Sequence, residues 1–307
     1  MLPTTFVIFT AVAAVLGAPT SFSWHQSRVA PTTLTTLTTA DLDALDSFTQ
    51  FARAAYCPAD KLMAWDCGEA CDANPDFQAT LAGGMGNAVQ FFFVGYYPKS
   101  NSVIVSHQGT DPLALLSVLT DLNVLKGPLN STLFSNMPDG SEVHTGFRDE
   151  HAITAQEIQN EVKRLIAPPK SRPLGGALAE LEALPAEVGV NAVTYGNPRV
   201  GNADFVSFFD SQVTDFKRVN NRDDLVPIVP PRFLGFVHPK GEIHIVDDDS
   251  NELVACPGSY PLRLFSCNDD ATDDKCQIKT VPTILSGNIL NHLGPYNGIH
   301  IGSIFCT

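Results

Sequence analysis

The sequence predicts a single α/β domain, a central mostly parallel sheet flanked by helices, and three observations carry that reading. Runs of strand composition alternate along the chain with runs of helical periodicity. No internal repeat and no Pro/Gly/Ser-rich linker divides them. With 307 residues, 44% hydrophobic and 17% charged, the chain is long enough for one large core and lacks the composition of a disordered protein.

The N-terminus stands apart. Residues 6–16 are a continuous apolar run closed by Gly17-Ala18-Pro19. That run is too short to cross a bilayer and has the length of a secretory signal core, although no Lys or Arg precedes it. The expected organisation is a signal peptide over 1–17, an N-terminal extension over 18–44 and the domain over 45–307, in a secreted protein with no transmembrane segment. A net charge of −14 argues against a nucleic-acid or anionic-membrane partner held by electrostatics. Seven cysteines in a secreted chain imply disulfides with one thiol left over. Cys67 and Cys71 can close a short loop, and Cys57 can be tied to Cys306. Of Cys256, Cys267 and Cys276 only two can pair. Asn130-Ser-Thr is a sequon.

After a Thr-rich stretch, Asp41 reads as the N-cap of a helix whose apolar face is Leu42, Leu45, Phe48, Phe51 and Ala52. Residues 57–77 read as loop. Residues 88–97 and 102–106 read as a strand pair joined by a turn at Lys99-Ser-Asn. His107-Gln-Gly-Thr-Asp-Pro112 then opens the apolar segment 113–125, which suits either a core helix or a lid over a site. A helix over 149–166 stops before Pro168-Pro169. Where an α/β unit needs a strand, the chain has Pro168-Pro-Lys-Ser-Arg-Pro173, so the central strand before residue 174 is missing. A glycine-opened helix over 175–184, a strand at 190–195, a helix at 205–209 and strands at 216–220 and 243–246 complete the series.

Four motifs, His107-Gln-Gly-Thr-Asp, Leu174-Gly-Gly-Ala-Leu-Ala, Tyr195-Gly-Asn-Pro-Arg-Val-Gly-Asn and Asp224-Leu-Val-Pro-Ile-Val-Pro-Pro231, together resemble the secreted fungal class 3 lipases over roughly residues 45–307. The resemblance implies the α/β-hydrolase fold, a Ser-Asp-His triad, a helical lid and hydrolysis of carboxylic esters such as triacylglycerols or feruloyl esters. It assigns the triad aspartate to Asp224 and the triad histidine to His292. The oxyanion hole falls to Thr110 and the backbone N–H of Leu174, and the lid to 113–125, through which the chain would meet a lipid–water interface. The chemistry is coherent. A carboxylate after a strand sets the imidazole tautomer, and the imidazole takes the nucleophile's proton and passes it to the leaving alcohol.

One element departs from the family. Where its members carry Gly-His-Ser-Leu-Gly-Gly, this chain reads Ser171-Arg-Pro-Leu-Gly-Gly176. Pro173 has no hydroxyl, and its fixed φ is incompatible with a nucleophile elbow. Ser171 lies two residues early. Three functions remain: an ester hydrolase whose sequence here lacks a short coding segment, a secreted acyl-binding pseudoenzyme, or a feruloyl-type esterase. No cofactor and no metal is expected, because His144, Asp247-Asp-Asp249 and Asp269-Asp270 lack ligand spacing and read as solvated or structural groups.

Overall fold

A mixed nine-stranded sheet organises the chain. The computed structural model describes residues 12–17, 34–87, 89–109, 125–134, 136–166, 189–213, 215–247, 252–256 and 274–306. The strands are β1 (Val12–Gly17), β2 (Thr35–Thr36), β3 (Gln78–Gly83), β4 (Phe92–Tyr97), β5 (Ser102–His107), β8 (Gly189–Tyr195), β9 (Asp215–Asn221), β10 (Glu242–Asp247) and β11 (Glu252–Ala255). Their spatial order is β2-β11-β10-β9-β8-β1-β5-β4-β3, and β6 (Lys126–Pro128) with β7 (Glu142–His144) forms a separate ribbon. The helices are α1 (Thr39–Asp43), α2 (Asp46–Ala54), α3 (Ala59–Ala64), α4 (Glu69–Asp72), α5 (Thr145–Ile166), α6 (Ala203–Gln212) and α7 (Gln277–Thr280).

Strand β4 shows how sequence period becomes layering. Phe92 and Val94 pack with Ile158 and Val162 of α5, whereas Phe93 between them packs with Phe51 of α2 and with Phe77. Alternation of side chains across a strand places one helix layer on each face. On the α2 face, Phe51 meets Phe77 and Tyr97 edge-on at 5.1 and 5.4 Å. Nearer β8 the same layer holds Leu42, Leu45 and Ala52 against Val193, Tyr195 and Val219. Full burial of each such apolar side chain is worth roughly 2 kcal/mol.

Several expectations change. Thr38, not Asp41, caps the first helix: Asp41 is its third residue, and the two side chains close a reciprocal capping box. Leu45 ends the periodic run's first piece, so one expected helix becomes α1 and α2. The presumed loop 57–77 contains α3 and α4, and Gln78–Gly83 adds a strand beside β4. The sheet is parallel only in its middle, where β8, β9 and β10 run together. Its other neighbouring pairs are antiparallel; β3–β4, β4–β5 and β10–β11 join consecutive strands, whereas β1 and β2 pair with strands distant in sequence. Two pieces of the expected N-terminal extension belong to the domain, β2 in the sheet and Leu42 in the core.

The gap expected in the middle of the sheet is filled, and by an unforeseen segment. Val12–Gly17, inside the apolar run read as a signal core, lies between β5 and β8 and pairs antiparallel with both over six residues. A central position needs partners on both edges, and a short apolar run of small and β-branched residues can supply them. The chain from 167 to 188, including the expected helix 175–184, lies outside the described residues.

Three disulfides close the described structure. Cys57 bonds Cys306, Cys67 bonds Cys71, and Cys256 bonds Cys276, which answers the three-cysteine choice in favour of Cys276.

Candidate active site

Asp224 and His292 are 68 residues apart in sequence and in contact in space. Asp224 follows β9 in a tight turn in which its N–H donates to Asn221 O at 3.0 Å. His292 lies in a 3₁₀ turn, Ile289–Leu293, capped by the Asn288 side chain through the N–H of Leu290 at 3.0 Å. Imidazole Nδ1 and Asp224 Oδ2 are 2.9 Å apart, with Asp224 fully buried and His292 6% exposed. A carboxylate can only accept, so Nδ1 carries the donated proton and Nε2 is left as the ring's acceptor. The other carboxylate oxygen accepts the N–H of Val226 at 2.9 Å. Both aspartate oxygens are therefore held, and the ring can turn only by breaking a buried charge-assisted bond.

The backbones are held as tightly as the side chains. Asn221 Nδ2 donates to Asn291 O at 2.9 Å, Asn288 N–H donates to Asp223 O at 2.7 Å, and Tyr296 OH donates to His292 O at 3.1 Å. Two of these bonds tie the acid's turn to the base's turn, and the third steadies the base's own segment. Burial raises the Tyr296 phenol well above its ordinary range, which keeps it a neutral donor.

The Tyr195–Arg199 motif forms the wall beside this pair. Gly196 has φ +57°, and a Cβ there would lie 2.3 Å from His292 Nδ1 and 2.5 Å from Asp224 Oδ2. Only glycine permits that approach and that dihedral together. Arg199, almost fully buried, donates from its guanidinium to the carbonyls of Ile228 and Pro230. His238 Nε2 donates to Pro227 O at 2.7 Å, and burial, then Arg218 and Arg199, hold that imidazole well below its ordinary value. The Val-Pro turn after Asp224 is thereby fixed from two sides.

The sheet places this pair at one end. β8 delivers Tyr195-Gly196 there, and β5 ends at the same level with His107, from which the chain leads to Thr110. Gln108 fixes the start of that loop, its N–H donating to Phe91 O and its Oε1 accepting from Phe91 N–H. A buried acid–base pair thus lies past the carboxyl ends of the parallel strands β8 and β9.

The class 3 lipase family model matches residues 104–234, which include both the loop and the aspartate. Over that stretch the chain resembles the class 3 lipases. Across 176 residues, 53% of this chain and 58% of the relative, it is 29% identical to the secreted mono- and diacylglycerol lipase LIP1 of Malassezia globosa. Across 187 residues, 55% and 46% respectively, it is 33% identical to a lipase of Rhizomucor miehei. The matches thus span about half the length of these curated relatives. The solved triacylglyceride lipase of Rhizomucor miehei has a TM-score of 0.66 at 22% identity, covering 89% of this chain and 100% of that one, a likeness of fold.

Thr110, Leu174, Pro173, Ser171 and the segment 113–124 lie outside the described residues, and Leu125 is exposed. The direction of β1 is informative. Val12 pairs with His107 and Thr194, so it is the start of β1 that sits at the site end.

Sequence reasoning missed three supporting groups. Gly196 and Arg199 were quoted in a motif without a role, and only a spatial contact gives them one. Glu150 carried no signal at all. It is buried on α5, accepts the N–H of Gln90 at 3.1 Å, and its carboxyl is pushed up to about 7 by burial. Nearby His107 and His151 are pushed down to about 4, chiefly by burial.

Proposed function

We propose that this protein carries the acid–base machinery of a secreted acylglycerol ester hydrolase, with Asp224 orienting His292 and His292 moving the proton. The 2.9 Å bond between two buried side chains carries the reading, because a carboxylate and an imidazole are costly to bury without a use for the pair. The names of the relatives support acylglycerols as the substrate class and an extracellular location. Thr110 and the N–H of Leu174 are the oxyanion donors in this proposal, 113–125 is the lid that meets a lipid–water interface, and residues 1–17 are removed as a leader.

The chain as written does not acylate, because Pro173 stands at the nucleophile position. A fluorophosphonate probe therefore leaves it unlabelled. Labelling that Ser171→Ala abolishes would identify Ser171 as a nucleophile and refute this part of the proposal. One observation favours a second reading, in which the natural transcript encodes a further apolar strand and a Gly-x-Ser between Leu165 and Ala177. The slot where such a strand would run is occupied from outside that region, by an antiparallel segment read in sequence as a leader. Transcript sequencing across this stretch tests it. An unaltered transcript, together with micromolar binding of fatty-acid analogues and no turnover of tributyrin, would make the protein an acyl-binding pseudoenzyme.

A further inference from the structure

Behind Asp224, on the side away from the imidazole, the segment Lys275–Gln277 is stitched to the end of β9. The Gln277 carboxamide is buried and donates from Nε2 to two carbonyls, Asp224 O at 2.7 Å and Arg222 O at 3.2 Å. Its own N–H donates to Glu242 Oε1 at 2.9 Å, and Glu242 is paired with buried Arg218. His244, fully buried on β10, places Nε2 2.9 Å from the same Arg222 O, with Nδ1 facing Lys275 O. The neighbour of Gln277 is Cys276, bonded to Cys256 beyond β11. The Gln277 amide is thus anchored from its own backbone by Glu242, from Cys276 by a covalent link, and from its far end by the turn that carries the acid.

We propose that Gln277 is a positioning residue for the Asp224–His292 pair, holding the aspartate's backbone so that Oδ2 stays in line with Nδ1. The inference deepens the hydrolase reading and rests on it for its functional meaning. The physical argument is local. Asp224 has its side chain committed to His292 and Val226, and its N–H to Asn221. Its carbonyl is the remaining handle on the turn, and Gln277 holds that handle with its shorter bond. Without the donor, Asp224 O and one bond to Arg222 O are left unsatisfied in a buried place, and the peptide can rotate toward other donors. Rotation about that peptide swings the carboxylate, because Cα moves with it.

The test is Gln277→Met in the full chain, with ¹⁵N-histidine labelling and the His292 Nδ1–H proton as the readout. In the unaltered protein that proton is protected by its bond to a buried carboxylate. In Gln277→Met its exchange accelerates by about tenfold, the effect of losing one net hydrogen bond on the opening equilibrium. Gln277→Leu also removes the donor with an apolar side chain of different shape, so it repeats the test should Gln277→Met not fold. Protection unchanged in a folded variant overturns the proposal, since a role confined to packing leaves the imidazole proton alone. The readout needs no turnover. Absence of ester hydrolysis by every form of the protein would count against the hydrolase reading and leave the exchange comparison standing.

Discussion

Substituting Gly196 by alanine tests the site at its tightest point. The added methyl would lie 2.3 Å from His292 Nδ1, 2.5 Å from His292 Cε1 and 2.5 Å from Asp224 Oδ2, whereas ordinary contact begins at 3.4 Å. Either side chain must retreat by about 1 Å, which takes a 2.9 Å bond beyond hydrogen-bonding range. The residue also sits at φ +57°, where a non-glycine side chain adds a strain of about 1 kcal/mol. The backbone cannot yield to relieve the clash, since Gly196 N–H is bonded to Val219 O at 2.8 Å within the sheet. Two measurements follow. The protected Nδ1–H resonance of His292 disappears in Gly196→Ala while the amide spectrum stays folded. In any form of the protein that turns over tributyrin, kcat falls by up to about 10⁴-fold, the scale of losing the aspartate's hold on the imidazole tautomer. A Gly196→Ala protein that keeps the resonance with unchanged exchange would refute the steric reasoning, whatever its activity.

Glu150→Gln should remove a pH dependence. The folded carboxyl is raised from 4.5 to about 7, so in the wild type its contribution is full below pH 4.5 and is lost as pH rises through about 7. The variant therefore matches the wild type at low pH and is more stable by up to about 3 kcal/mol at pH 8, measured by urea denaturation; a stability difference that does not vary with pH would contradict the burial account. Deleting residues 1–17 removes six register pairs with β5 and six with β8. At about 1 kcal/mol net for each backbone bond, that loss is comparable to a whole domain's margin of about 5 to 15 kcal/mol, so cooperative thermal unfolding is expected to vanish; an unchanged Tm would show that β1 does not hold the sheet. Asn130 is exposed, and its amide oxygen accepts the N–H of Thr132 at 3.0 Å together with the Thr132 hydroxyl, which leaves the amide nitrogen for glycan transfer. Expression through a eukaryotic secretory route should give a mass shift that endoglycosidase removes and that Asn130→Gln and Thr132→Ala each abolish; unmodified protein in the medium would dismiss the site.

The deletion and the leader bear on each other. If residues 1–17 are cleaved, β1 leaves the sheet and β5 and β8 lose a neighbour. The chain as written then needs another strand in that slot.

Local sequence determined most of the elements. Phe92–Tyr97, Ser102–His107 and Gly189–Tyr195 are apolar, β-branched or aromatic runs bounded by turns, and they are strands. The stretch 149–166, read as helical from its sequence, lies within α5. Asp224 and His292 were readable as a pair because each sits in a distinctive motif. Tertiary structure alone decided the rest. Residues 12–17 became a strand because β5 and β8 each present an edge to them, a long-range demand that no local propensity encodes. Gly196, Gln277 and Glu150 acquired roles only from what folding brought beside them. A glycine, a carboxamide and a carboxylate each fit many settings, and the distance to a neighbour distant in sequence determines which one applies.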